Sequence, residues 1–372
     1  MGIRYDRDEN KITNGPVIFF TGFNSDDSLR DAINVAFEKG LNFFAYREPD
    51  DLSATFCSSE DLVSGLGTPG FVISMFDPDL PFITIPFEND KSKSFEPKIS
   101  YEMPSRSTLQ DVYEEEVKEI INGIEEKRWE KIVSSRVLLK SGSYDLGNIF
   151  TSLCEERKNA FVFCFATKPT GCWIGASPEL LLKGNKGNLE TMALAGTRIP
   201  AYSVSDEWNE KNLKEQNLVT GYIQKVFRKH NITITEEETG TKEAGPVEHI
   251  CTRIKAKANF HDGNDLSTFL KEFSPTPALC GIPKQEALDF ILSHEQFSRG
   301  CYGGFCGPFH GVENFLFHVT LRCCCFSRDK VSLYAGGGIT ADSVPEDEWN
   351  ETEAKLETLT SIIDNNILIS NH

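Results

Sequence analysis

Short runs of β-branched and aromatic residues recur along this chain, and they do not alternate with helices one for one. Val17-Ile-Phe-Phe-Thr21, Asn42-Phe-Phe-Ala-Tyr46, Phe71-Val-Ile-Ser-Met75 and Ile83-Thr-Ile-Pro-Phe87 read as strands. Helical spacing enters later: Val117, Ile120, Ile121 and Ile124 share one face and predict a helix beginning near Ser107. Further helices are expected over 206–228 and 346–363. Between them, residues 129–139 read as a strand, and Phe161-Val-Phe-Cys-Phe165 and Cys172-Trp-Ile-Gly-Ala176 read as neighbours in one antiparallel sheet. Strands mixed with separate helices, with no strand–helix–strand rhythm, predict an α+β fold on antiparallel sheets.

Bulk properties exclude several classes. A net charge of −18 over 372 residues argues against a nucleic-acid binder, which needs a basic face. It leaves room for an anionic small molecule, because a bound metal or an arginine reverses the field locally. No apolar run reaches the length that spans a bilayer, and the first residues hold no apolar signal-peptide core. The eleven cysteines form no pair of CxxC knuckles, and alternate side chains of Cys323-Cys324-Cys325 would point to opposite faces of a strand. Reduced thiols and a cytoplasmic location are expected. The polar stretch 88–107, with a loop at Lys91-Ser-Lys-Ser-Phe95, is the best candidate for a seam. It separates a less informative part, 1–106, from a motif-bearing part, 107–368.

Charged residues at unusual positions come next. On the second long helix Glu215 shares its face with Leu218, Val219, Tyr222 and Val226. A carboxylate in an apolar stripe needs a cation or a proton; a lysine or arginine in the core would serve as well as a ligand. On the last helix Glu348, Glu351 and Lys355 recur at spacings of three and four, which fits either a solvated ion-pair face or a site. Upstream, Gly336-Gly-Gly338 reads as a turn whose N–H groups can approach an anion. Lys131 opens an apolar strand, where a lysine either reaches solvent or acts as a base. Glu179 follows Pro178 in Gly175-Ala-Ser-Pro-Glu179, as a general acid or merely a capped turn. Thr191-Met-Ala-Leu-Ala-Gly-Thr197-Arg198 reads as another turn with free N–H groups.

In order and spacing these blocks resemble the chorismate-utilising enzyme family. Lys131-Ile-Val-Ser-Ser-Arg136, Gly175-Ala-Ser-Pro-Glu179, Leu194-Ala-Gly-Thr-Arg198, Pro275-Thr-Pro-Ala278, Arg299-Gly-Cys-Tyr302-Gly-Gly304, Val319-Thr-Leu-Arg322, Tyr334-Ala-Gly-Gly-Gly-Ile339 and Glu348-Trp-Asn-Glu351-Thr match in register over about two thirds of the chain. The Pro-Thr-Pro-Ala block and Lys131 point to the isochorismate synthase branch. The resemblance implies a single α+β domain over 1–372, with two large antiparallel sheets stacked face to face, flanking helices and a cleft.

Carried over by position, Lys131 is the base that activates water and Glu179 the acid that protonates the departing C4 hydroxyl. Glu215 and Glu351 hold Mg²⁺, with Glu348 beside it. Tyr302 and Arg322 hold the enolpyruvyl carboxylate, and the backbone at Gly196, Thr197 and Gly337 completes an anion cradle with Lys355. The implied reaction is the reversible conversion of chorismate to isochorismate, for menaquinone or siderophore synthesis, with no obligatory protein partner, nucleic acid or membrane. The alternatives are a salicylate synthase, which also eliminates pyruvate, an aminating member that needs a glutaminase, and a catalytically impaired chorismate-binding homologue. Three departures from the family stand out. Ser274 replaces a usual histidine near the substrate, which bears on turnover and product choice. Gln216 replaces histidine after Glu215, and Ala193 stands where proline is common.

Overall fold

The computed structural model describes residues 18–21, 27–88, 100–198, 207–244 and 247–368. Among them two nine-stranded sheets form, and every strand pairing in them is antiparallel. The first runs Ile18–Thr21, Ser53–Ser59, Asn42–Arg47, Phe161–Thr167, Gly171–Ser177, Cys323–Phe326, Lys330–Ile339, Lys131–Ser141, Gly281–Ile282. The second runs Thr233–Ala244, Val247–Lys257, Asn188–Arg198, Leu180–Asn185, Asn314–Val319, Phe305–Gly311, Gly70–Ser74, Ile83–Pro86, Val63–Ser64. The helices are α1 (Ser28–Glu38), α2 (Gln110–Glu125), α3 (Leu146–Glu156), α4 (Glu210–Lys229), α5 (Gly263–Phe273), α6 (Lys284–His294) and α7 (Pro345–Asp364). This is the α+β architecture expected.

Two-residue alternation assigns the side chains of the first sheet to two cores. Phe161, Phe163, Phe165, Trp173, Cys323 and Cys325 face the second sheet. Val162, Cys164, Cys172, Ile174 and Cys324 face α1, α3 and α7. The triple cysteine is thus split between two apolar layers, and all eleven cysteines are free and buried. Between the sheets Phe44 of the first stacks on Phe71 of the second at 4.8 Å. Each fully buried ring of this kind stabilises the sandwich by about 1.5–3 kcal/mol.

Residues before 107 supply three strands to each sheet. Asn42–Arg47 pairs with Phe161–Thr167, and Gly70–Ser74 with Phe305–Gly311. The polar stretch 88–107 therefore separates no independent pairing; the loop expected at 91–95 lies outside the described residues.

Two expected turns are strands. Gly336–Gly338 sit inside Lys330–Ile339, paired with Ser135, Ser134 and Val133. Gly196 is a bulge within Asn188–Arg198, at φ +69. Glycine signalled a turn in both places, but here it serves close packing against the backbone. The first predicted helix starts at Gln110; Ser107 and Thr108 instead accept from the strand N–H groups of Leu139 and Val137. The helix expected from Asp206 begins at Glu210, where the Asn209 side chain accepts from Asn212 N at 2.8 Å; Asp206 lies outside the described residues. No helix among the described residues is long and apolar enough to cross a membrane.

Candidate active site

The strand Lys330–Ile339 loses one neighbour half-way. Val331–Leu333 pairs with Cys323–Phe326, whereas Tyr334–Ile339 pairs on one side only, with Lys131–Ser141. On the free side Lys355 of α7 donates to the Gly336 carbonyl at 2.7 Å. Acidic side chains press onto the backbone here. A Cβ on Gly338 would lie 2.3 Å from Glu215 Oε1, and one on Gly337 would lie 2.9 Å from Glu348 Oε2. One on Gly336 would meet the Ser134 carbonyl at 2.7 Å. Any side chain at these positions would displace a carboxylate or the neighbouring strand.

Three glutamates from two helices meet this edge, and each is matched by a lysine. Lys131 Nζ lies 2.8 Å from Glu215 Oε1, Lys211 Nζ 2.6 Å from Glu348 Oε1 and Lys355 Nζ 2.5 Å from Glu351 Oε1. Lys131 is fully buried, so it is no solvent-reaching strand residue, and beyond this ion pair its ammonium makes no aligned hydrogen bond. Glu215 does pair with a core lysine. Glu348 is 2 % exposed, which removes the reading of α7 as a solvated ion-pair face. Burial, then the Glu351 charge, pushes Glu348 above the ordinary carboxylate range against the pull of Lys211. Burial also opposes ionisation of Glu351, but Lys355, Lys211 and a hydrogen bond from Thr197 outweigh it and hold that carboxylate low.

A narrow cleft opens beside this edge. Glu179, Thr197, Glu215, Tyr302, Arg322 and Lys355 line it. Of the other expected residues, Lys131 lies behind Glu215, and Gly196 packs its backbone under Asn212. Gly337 turns its bare face to Glu348, and Glu351 faces an adjoining groove shared with Thr197 and Lys211.

Glu179 occupies the connection between Gly171–Ser177 and Leu180–Asn185, its N–H donating to Ser177 Oγ and its carbonyl accepting from Val319 N. Burial raises its carboxyl to about 8, against the opposing charges of Lys131 and Lys242. It is therefore largely protonated at neutral pH, as a proton donor must be. Arg322 sits in left-handed backbone at φ 48; burial lowers it to about 10, so it stays cationic at neutral pH. Burial also raises the Tyr302 phenol, which stays protonated.

Three residues escaped the sequence reading. His249 lines the cleft, its Nε2 facing Arg322 Nη2 at 3.3 Å and its Nδ1 facing Thr197 Oγ1 at 3.2 Å. Burial, followed by Arg322 and Lys355, drives its pKa well down, so it is neutral and orients Arg322. Its alternation with Val247 and Cys251 was the available signal. Lys211 stands four residues before Glu215, a spacing that puts both on one helix face. Tyr334 lines the cleft and hydrogen-bonds through its hydroxyl to Tyr101.

None of the three departing residues, Ala193, Gln216 and Ser274, lines the cleft. Ser274 is the buried C-cap of α5 and its carbonyl accepts from Lys284 Nζ at 2.8 Å; Ala278 and Leu279 of the same block reach the cleft wall. Gln216 fastens α4 to the sheet, accepting from Ala195 N and donating to the Ala193 carbonyl and Thr252 Oγ1.

Among the described residues no group of three or more Asp, Glu, His or Cys side chains is placed to hold a metal ion. The donors nevertheless suit a hard divalent ion, which takes a few carboxylates and fills its shell with water and substrate oxygens. Glu348 Oε2 and Glu351 Oε1 lie 2.9 and 3.8 Å from one point above Gly337, in space that its missing side chain leaves open.

Stacked antiparallel sheets with a buried acid–lysine edge over a cleft define the class of scaffold. Residues 84–364 match the family model for chorismate binding enzyme, and the chain belongs to that family. It is 29% identical over 257 residues to isochorismate synthase MenF of Bacillus subtilis, covering 64% of this chain and 53% of that one. It is 30% identical over 244 residues to isochorismate synthase EntC of Escherichia coli K12, covering 63% and 62%. The matched stretch thus spans between about half and two thirds of these relatives' length. In fold, the chain superposes on the solved structure of MenF, the menaquinone-specific isochorismate synthase from Escherichia coli. The TM-score is 0.74 at 20% identity, over 94% of this chain and 95% of that one. Anthranilate synthase component I from Streptococcus pneumoniae shares the fold with a TM-score of 0.61 at 18% identity, over 93% and 80%.

Proposed function

We propose that this chain is an isochorismate synthase, converting chorismate reversibly to isochorismate with Mg²⁺. The observation that carries the reading is Glu179, a cleft-wall carboxyl raised to about 8, with the buried Lys131 near enough to act on it. An acid held protonated and an amine held close by are what one-for-one exchange of hydroxyl groups requires.

In this reading Lys131 takes a proton from a water whose oxygen bonds to C2. The ring double bonds shift, and the C4 hydroxyl leaves as water with the proton that Glu179 supplies. One water enters and one departs, so the reaction is close to thermoneutral and runs both ways. Arg322, oriented by His249, and Tyr302 grip the enolpyruvyl carboxylate. Mg²⁺, held by Glu215 and Glu351 with Glu348 beside it, would bind the ring carboxylate and offset the acidic charge. Lys355, fixed between Glu351 and the Gly336 carbonyl, keeps the strand edge and α7 in register.

Chromatographic analysis after incubation with chorismate and Mg²⁺ tests this directly, with isochorismate as the expected product. Salicylate as the main product would move the chain to the pyruvate-eliminating branch. Anthranilate formed with ammonia, and nothing formed with water, would remove Lys131 as the base.

A further inference from the structure

Lys211 has no part in the chemistry above, yet it stands at the centre of the acidic edge. Its ammonium lies 2.6 Å from the Glu348 carboxylate and joins α4 to α7. Burial lowers its proton affinity, but Glu348, Glu351 and Glu215 together outweigh that, so all three carboxylates draw the same cation. Its side chain is 27% exposed, whereas that of Lys131 is 0% exposed. Of these two, Lys211 is the one whose side chain reaches the outer surface.

We propose that Lys211 is a built-in counter-ion, which holds the Glu348 carboxylate of α7, within the field of Glu351 and Glu215, while no divalent cation is bound and withdraws to solvent when one binds. The inference rests on the metal role given above to Glu215, Glu351 and Glu348. Glu215 and Glu351 already pair with Lys131 and Lys355, so Glu348 is the carboxylate left to offset, and without a cation it would repel Glu351. One ammonium offsets part of that charge. A dication bound through the other Glu348 oxygen and Glu351 neutralises more of that charge and repels the ammonium, so it loosens the hold of Glu348 on Lys211. The ammonium therefore keeps the metal-free edge assembled and weakens the apparent metal affinity.

Two measurements on the whole chain test this. Calorimetric titration of EDTA-stripped protein with Mg²⁺ should give binding about 10- to 100-fold tighter for Lys211→Met than for wild type, the range of one charge-assisted hydrogen bond. In wild type, acetylation by acetic anhydride, read by peptide mass spectrometry, should rise at Lys211 when Mg²⁺ saturates the site. The exposed Lys118 serves as the reference. This second arm needs no variant and stands even if Lys211→Met does not fold. Mg²⁺ binding to wild type with equal or weaker affinity in the variant, or flat labelling of Lys211 at saturation, overturns the exchange but leaves the metal role intact. Absence of Mg²⁺ binding by wild type overturns both.

Discussion

The two halves of the strand Lys330–Ile339 solve different problems. Val331, Ser332 and Leu333 are fully buried and flanked by strands on both sides. Leu333 packs with Leu356 and Leu359 of α7, in an apolar core. Beyond Tyr334 the strand gives up one neighbour and, at three successive positions, its side chains. Glu348 takes that space at Gly337, Glu215 and Lys131 take it at Gly338, and the neighbouring strand closes over Gly336. The apolar half holds α7 against the sheet, and the glycine half uses that fixed helix to aim Glu348, Glu351 and Lys355. Buried ion pairs contribute little net stability, since desolvation offsets most of their attraction. The contrast therefore says that one half is built for stability and the other for chemistry.

The strongest test of the chemical half removes its proton carriers. Lys131→Ala and Glu179→Gln should each lower turnover of chorismate by about 10²–10⁴-fold, the usual range for one acid or base. Isochorismate formed at the wild-type rate by either variant would break the assignment of that residue. Next in size is Leu333→Ala in the apolar half, expected to cost about 2–5 kcal/mol in chemical denaturation, as a buried leucine does. A smaller loss there, with turnover falling first, would erase the division of labour. Gly338→Ala should do the reverse. Its methyl would overlap Glu215 Oε1, so turnover should fall roughly 10²-fold, as for small displacements in a site, while the unfolding midpoint barely moves.

Much of this contrast was legible in the chain, and the reason is local. The apolar stripe around Glu215 and the three-and-four spacing of Glu348, Glu351 and Lys355 are helix geometry, which neighbouring residues determine. The antiparallel sheets followed from the strand-like runs at 161–165 and 172–176 and from the lack of a strand–helix–strand rhythm. What stayed hidden depends on distant partners. Nothing near Lys131 shows that Glu215 will sit 2.8 Å from it, nor that Glu348 will face Lys211. The Gly336–Gly338 run misled for the same reason. Without knowledge of the carboxylates that lie over it, a glycine triplet reads as a turn rather than as strand backbone under load. The place of Ser274 as the C-cap of α5, off the cleft lining, was likewise not visible from its neighbours.

The smallest expected effect bears on Glu179, which sits among buried groups yet belongs to the chemical half. Its carboxyl is raised to about 8 in the folded chain, from an ordinary value of 4.5. Between these values the unfolded chain has lost the proton and the folded chain keeps it. The folded state binds more protons, so this group's contribution to stability falls as pH rises through the window and is constant outside it. Glu179→Gln removes that dependence. The variant should melt at nearly the wild-type temperature at pH 4 and a few degrees above it at pH 8, while turning over chorismate far more slowly. The same proton should shape catalysis: wild-type kcat/KM should decline as pH rises past about 8 through loss of the acid form. A variant no more stable than wild type at pH 8 would mean that Glu179 is ionised in the folded protein. Its place on the cleft wall would then be that of a fixed charge, not of a proton donor.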